Sequence, residues 1–96
     1  MKDSLARYYD YARRNGRPKV ATFVNGTLCR NATVYEDATV KVSIDPLSKE
    51  MEIRRMENNN PVICIDEDGE VYRTHGEFRY VEAHLQSLLA SPAPTA

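Results

Sequence analysis

The chain has no apolar run close to the roughly 20 residues that a membrane-spanning helix needs. Its N-terminus, MKDSLARYYDYARR, also lacks the apolar stretch of a secretory signal. We therefore expect a cytoplasmic protein that makes no contact with membranes. In that compartment the two cysteines, Cys29 and Cys64, are expected to be free, buried thiols rather than a disulfide.

Motifs that would reveal a cofactor or a catalytic mechanism are missing as well. There is no GxxxxGK[ST] and no GxGxxG segment, so no loop that cradles phosphate is predicted. Two Cys and two His residues make up the inventory of a zinc site, but no two of them have the short ligand spacing of structural zinc sites. We expect no cofactor and no metal. The four residues are Cys29, Cys64, His75 and His84.

Nucleophilic catalysis would need a cysteine or serine within reach of a histidine that a third group holds, and Cys64 could meet His75 or His84 in space. Neither cysteine is followed by a glycine-rich elbow or a loop that could form an oxyanion hole, so the sequence favours a protein that is not an enzyme. A small Cys/His enzyme or metal protein is kept as the third hypothesis.

The patterning of the chain predicts one α+β domain over residues 1–90, followed by a flexible Pro/Ala tail at 91–96. An N-terminal helix with an apolar stripe ends at Asn15-Gly16. About five to six antiparallel strands then follow in successive hairpins. A C-terminal amphipathic helix, opened by a capping box from Thr74 to Glu77, packs on one face of the sheet. Val40, Val42 and Ile44 alternate with polar residues, which is typical of a sheet whose other face is wet.

The first hairpin is the most specific local prediction. Asn25-Gly26 favours a two-residue turn that places Phe23 opposite Leu28 and Thr22 opposite Cys29. One face of this hairpin would carry Ala21, Phe23 and Leu28 with Lys19 and Arg30, and the other Val20, Val24 and Cys29. The sequence leaves open which face is buried.

Charge is distributed unevenly along the chain. Residues 1–30 contain seven bases and two acids, a net of +5, whereas residues 31–96 contain six bases and twelve acids, a net of −6. Arg7 and Arg14 are expected to pair with Asp3 and Asp10 along the first helix. The bases left over, with a neighbouring tyrosine, form the predicted partner-binding patch of Tyr11, Arg13, Arg17, Lys19 and Arg30.

The excess acid concentrates at a tight turn, which is the second candidate surface: Asp66, Glu67, Asp68 and Glu70. Solvated turn residues, weak cation binding, a catalytic carboxylate pair and a knob that docks on a basic partner are the alternatives. The turn is too short for an EF-hand loop.

These features favour a small protein-binding module that occupies a macromolecular partner's surface. Small proteins of mobile genetic elements, such as phage inhibitors of host CRISPR complexes, share this general character. The alternative is a nucleic-acid-binding protein that uses the basic patch, although the sequence pI of about 6.1 is low for that class. The composition also permits a homodimer.

Overall fold

The computed structural model of the chain describes residues 2–74 and 77–90, without the side chains of residues 2 and 72–74. Two helices bracket six strands, and the strands pair in chain order as one antiparallel sheet. The predicted α+β class and its order of elements are confirmed. The elements are α1 (Lys2–Asn15), β1 (Arg17–Val24), β2 (Thr27–Glu36), β3 (Val40–Ile44), β4 (Met51–Arg55), β5 (Pro61–Ile65), β6 (Val71–Thr74) and α2 (Phe78–Ala90).

The main core lies between the two helices and one face of the sheet. Apolar residues at every second strand position meet the apolar stripes of α1 and α2, as the helical and strand periodicities require. Because both helices cover the same face, this core is continuous. Its most buried members include Leu5, Val40, Val42, Met51, Ile53, Ile63, Ile65, Val81 and Leu85.

The end of α1 lies very close to β2. A Cβ atom added at Gly16 would lie 2.6 Å from the carbonyl oxygen of Ala12 and 2.8 Å from Cγ2 of Thr33. Both distances are too short for real Cβ atoms, so glycine is needed where the chain leaves α1 and enters β1. This close approach fixes the start of the first hairpin against the edge of the sheet.

The β1–β2 hairpin is folded over the face of the sheet that points away from the helices. Asn25 and Gly26 have φ angles of 52° and 81°, as a type I′ turn requires, and the predicted Phe23–Leu28 and Thr22–Cys29 pairs are confirmed. Asn31 has a φ of 63°, and β2 changes face there, because Cys29 and Ala32, three residues apart, are both buried. We call residues 17–31 the arm.

The expectation of a wet second face is wrong over the middle of the sheet. The ladder aligns Val34, Ser43, Glu52 and Cys64 across four strands on this face, and all four are buried. The arm covers them, since Val24 and Cys29 from the arm and Ala32 and Val34 from the rest of β2 form a second, smaller apolar cluster. An alternating pattern shows only which strand positions are polar. It does not show whether another part of the chain, here the β1–β2 hairpin, folds over the polar face.

The predicted capping box is also wrong. Thr74 ends β6, and α2 begins only at Phe78, so Glu77 precedes the helix instead of lying in its first turn. The Glu77 carboxylate accepts hydrogen bonds from Arg55, Asn58 and Asn60, and these hold its pKa below the ordinary value. Glu77 thus ties the start of α2 to the β4–β5 loop. His75, Gly76 and the predicted tail at 91–96 lie outside the described residues.

Neither described helix is long and apolar enough to cross a membrane.

Candidate protein-binding surface

The arm has one buried face and one exposed face. Val24 and Cys29 are buried on the side that faces the sheet. On the opposite side the register pairs Phe23 with Leu28 and Ala21 with Arg30, and all four of these residues are exposed. We call these four residues the outer face of the arm. The structure therefore answers the question that the sequence left open about this hairpin.

Of the seven large hydrophobic residues that are exposed in the described part of the chain, three lie on the arm. Phe23 is 55% exposed and Leu28 is 52% exposed, and the two lie directly opposite each other in the ladder. Val20, earlier in β1, is 82% exposed. Single exposed apolar residues are ordinary, but a cross-strand pair with a third close in sequence is typical of an interaction site.

The charge on the arm is of one sign. Residues 17–35 contain Arg17, Lys19 and Arg30 and no acid. All three bases are exposed, and within the described part of the chain none of them forms an ion pair. Because Arg30 lies beside the Phe23–Leu28 pair on the outer face, the surface combines an apolar centre with a basic margin.

The other two members of the predicted basic patch are engaged elsewhere. Arg13 donates a hydrogen bond to Asp10 at 2.8 Å, and Arg14 pairs with the second oxygen of the same carboxylate. The hydrogen bond from Arg13, supported by Arg14, lowers the pKa of Asp10. Tyr11 packs edge-on against Tyr35, with 5.3 Å between the ring centroids. The structure thus gathers Arg17, Lys19 and Arg30 on the arm and leaves Arg13 and Tyr11 on α1.

The expected charge ladder along α1 is formed only in part. Asp10 and Arg14 pair as predicted, but over the described residues no ion pair joins Asp3 to Arg7. These contacts are solvent-exposed and lie within one helix, so each is worth about 0.3–0.5 kcal/mol.

Few polar contacts hold the tip of the arm to the sheet. The Asn25 side-chain amide donates to Oε1 of Glu50 at 3.0 Å. Beside the tip, an open depression of about 280 Å³ is lined by residues of the arm and of the second face: Thr22, Phe23, Gly26, Lys41, Arg54 and Asn59. Lys41 and Arg54 extend the basic character of this side of the molecule beyond the arm.

The layer beneath the arm is unusually polar. Glu52 is only 3% exposed, and its carboxylate accepts a hydrogen bond from Nε of Arg54 at 2.8 Å. Its other oxygen lies 4.0 Å from the Cys64 thiol. Cys29 is close to Asp45, and burial together with that carboxylate raises the pKa of the Cys29 thiol. Thiols with a raised pKa are poor nucleophiles, and this does not favour catalysis by Cys29.

The acidic turn is held by hydrogen bonds between its own residues. One oxygen of Asp66 accepts the backbone N–H groups of Asp68 at 2.9 Å and Glu70 at 3.0 Å. Burial raises the pKa of Tyr9 in α1 to about 12, and the charges of Glu67 and, more weakly, Asp45 and Asp66 add to this rise. In the described ranges, neither this turn nor any other acid forms an ion pair with Arg17, Lys19 or Arg30.

A polar cluster joins α2 to the β2–β3 loop. Asp37 accepts hydrogen bonds from Tyr35 at 2.6 Å and from the backbone N–H groups of Thr39 and Val40, and its Oδ2 lies 2.7 Å from Nε2 of His84. Burial opposes ionisation of Asp37, but these hydrogen bonds outweigh it and lower the pKa of the carboxyl. The cluster resembles part of a catalytic triad, yet no cysteine or serine hydroxyl in the described part contacts the His84 ring.

The proposed pairing of Cys64 with His84 is not formed. Cys64 lies on the face of the sheet that the arm covers, whereas His84 belongs to α2, on the opposite side. His75 lies outside the described residues. Within the described ranges no three His, Cys, Asp or Glu side chains are arranged to hold a metal ion.

Sequence reasoning missed the apolar part of the surface. It grouped Phe23 and Leu28 with Lys19 and Arg30 on one hairpin face but did not include the two apolar residues in the binding patch. The sequence did indicate which hairpin face would be exposed, because burying the charges of Lys19 and Arg30 would cost more free energy than burying the other face. Comparison with other proteins adds no further guide: no family model, curated protein or solved structure matches the chain.

Proposed function

We propose that this chain is a non-enzymatic protein-binding module that acts by occupying the surface of a macromolecular partner through the outer face of the arm. The observation that carries the proposal is the exposed Phe23–Leu28 pair beside Arg30. Aromatic residues and arginine are the residue types that dominate binding energy at protein interfaces. An apolar centre with a charged margin is the usual anatomy of such an interface.

The way in which the arm is built supports the same proposal. The chain buries Val24 and Cys29 but leaves Phe23 and Leu28 in water, although each exposed pair of this kind forgoes hydrophobic stabilisation. Folding stability alone would favour burial of both faces of the hairpin. A partner that covers the outer face would recover that loss.

A partner made of protein fits this surface better than nucleic acid. The arm contains three bases and its exposed apolar residues include the aliphatic Val20 and Leu28, whereas nucleic-acid surfaces rely on aromatic stacking and on many phosphate contacts. The net charge of the whole chain is −1, which gives no long-range attraction to a polyanion.

The class of activity that we propose is inhibition by occlusion. A chain of 96 residues with an apolar, basic arm could mask a functional surface of a larger complex, as phage proteins do when they inhibit host CRISPR complexes. Size, the one-sided arm and the charge distribution are the support for this part of the proposal.

The test is purification of the tagged full chain from the cells that produce it, with bound proteins and bound nucleic acid both identified. We expect the wild-type chain to capture one protein at a fixed stoichiometry. Phe23→Ser combined with Leu28→Ser should reduce capture at least about tenfold, since hot-spot residues contribute about 2 kcal/mol or more each.

Met56→Ser is the matched control, because Met56 is 39% exposed and lies in the β4–β5 loop, outside the arm. This variant should capture the partner as the wild type does. Equal capture by the arm variant and the wild type would overturn the proposal. So would recovery of nucleic acid instead of protein, with a binding that falls steeply as salt is raised.

A further inference from the structure

A second surface of the molecule is the chemical opposite of the arm. The β3–β4 loop (residues 45–50) and the β5–β6 loop (residues 66–70) lie at the same end of the sheet, because β3 and β5 both end there. Together the two loops contain six acids and one base, Lys49. Burial raises the pKa of Tyr9, and the charges of Glu67, Asp45 and Asp66 from both loops add to this rise.

This end of the sheet also exposes apolar side chains. Leu47 is 90% exposed in the β3–β4 loop, and Val71 is 41% exposed directly after the acidic turn. We call this surface, formed by residues 45–50 and 66–71, the acidic end. Each molecule therefore presents two surfaces with exposed apolar side chains. Basic residues flank those on the arm, and acidic residues flank those at the acidic end.

The fold does not bring these two surfaces together. Over the described residues no ion pair joins Arg17, Lys19 or Arg30 to any carboxylate of the acidic end. Among the described residues, two side-chain contacts link the two regions, one from Asn25 to Glu50 at the tip of the arm and one between the buried Cys29 thiol and Asp45. Neither contact involves the outer face of the arm. The complementarity is therefore available to another molecule.

We propose that the acidic end of a second copy of this chain docks on the outer face of the arm. Opposite charges across a contact favour association and fix its orientation. The net charge of −1 adds almost no repulsion between copies, and proteins near neutrality associate readily. The second copy supplies Leu47 and Val71 to the Phe23–Leu28 pair, and its Glu67 and Asp68 to Lys19 and Arg30.

This contact joins two different surfaces, so it is heterologous. A heterologous contact forms a ring if its rotation closes and an open chain if it does not. The average mass should therefore rise with concentration and should not stop at the dimer unless a ring closes. A two-fold dimer through the arms alone is not expected, because it would bring the bases of two arms together.

The inference rests on the proposed function in one respect, which is that the arm is a protein-binding surface. It adds that free molecules bind one another through the arm, so a foreign partner has to compete with a second copy. A partner that binds the arm should then dissociate the assemblies.

The experiment is sedimentation equilibrium of the purified full chain over a range of concentrations at low ionic strength. We expect the average mass to increase with concentration and to return to the monomer near 1 M salt, where the screening length is about 3 Å. A monomer at every concentration and salt would overturn the inference.

Charge reversal separates the proposed contact from other modes of association. Lys19→Glu with Arg30→Glu reverses the arm, and Glu67→Lys with Asp68→Lys reverses the acidic end without touching Asp66, which holds the turn. Each variant alone should associate at least about tenfold more weakly than the wild type, because like charges then face each other. An equimolar mixture of the two should associate again, since each reversed surface finds its complement.

The mixture also guards against a folding artefact, because two misfolded variants would not restore each other. Association of either variant at the wild-type level, or failure of the mixture to associate, would overturn the inference. These outcomes are distinct from those that test the proposed function. If the chain is always a monomer while the Phe23 and Leu28 variants lose the captured partner, only the inference fails; if it associates as expected while those variants keep the partner, only the proposed function fails.

Discussion

The two faces of the sheet are built differently. The face under the helices is packed with aliphatic side chains such as Ile53 and Ile63, which are almost completely buried. The face under the arm has a cluster of four apolar residues and a buried polar layer that includes Ser43 and Glu52. We therefore expect the helical side to contribute most of the stability of the domain, because it buries far more apolar surface than the arm side does.

The largest effect on stability should come from the helical side. Ile53→Ala removes a side chain with no exposed surface at the centre of the main core and should lower the free energy of unfolding by about 2–5 kcal/mol. Urea denaturation followed by circular dichroism measures it. A loss below about 1 kcal/mol would mean that this core is not the main source of stability.

The polar layer beneath the arm should give an intermediate effect. Glu52→Ala removes the acceptor of the Arg54 hydrogen bond and leaves a guanidinium half-buried, so we expect a loss of about 1.5–3 kcal/mol. Reactivity of Cys64 with a thiol reagent should rise as well, because the thiol lies in the same layer. An unchanged unfolding free energy and an unchanged thiol reactivity would contradict this prediction.

A smaller effect that depends on pH should come from the Asp37 cluster. Hydrogen bonds lower the pKa of Asp37 in the folded state, so its contribution to stability is present above the unfolded value of about 3.9 and is lost as the pH falls through the folded value. Asp37→Asn should therefore be less stable than the wild type at neutral pH, and the gap should close in acid. Urea midpoints across this pH range test this prediction, and a constant gap would contradict it.

The outer face of the arm should give the smallest effect on stability. Phe23→Ser and Leu28→Ser alter exposed side chains, so each should change the free energy of unfolding by no more than about 0.5 kcal/mol. The thermal unfolding of each arm variant is measured and compared with that of Ile53→Ala. A large decrease in the unfolding free energy of the arm variants would mean that these side chains stabilise the fold, and would contradict their proposed role as a binding surface.

Local signals in the sequence predicted most of the fold. The Asn25-Gly26 turn was enough to give the Phe23–Leu28 register, because a two-residue turn leaves one pairing available. The apolar stripes of the helices identified their buried sides in the same way. Each of these signals acts between residues that are close in the chain.

Features that depend on distant contacts could not be predicted. Glu52 alternates with Met51 and Ile53 and so resembles a solvent-facing residue, but the arm, which is remote in sequence, buries it. The change of face at Asn31 depends on one positive φ angle that no periodicity records. The contact between His84 and Asp37 spans 47 positions, and for the same reason the sequence did not reveal it.

Photo-crosslinking from position 28 tests whether the outer face of the arm binds a protein partner. A benzophenone amino acid replaces Leu28 in one variant and Leu47 in a control, and both chains are irradiated in the cells that produce the protein. We expect position 28 to crosslink to one protein of a different sequence, and position 47 not to crosslink to it. Crosslinking of that protein from position 47 alone, or of no foreign protein from position 28, would contradict it.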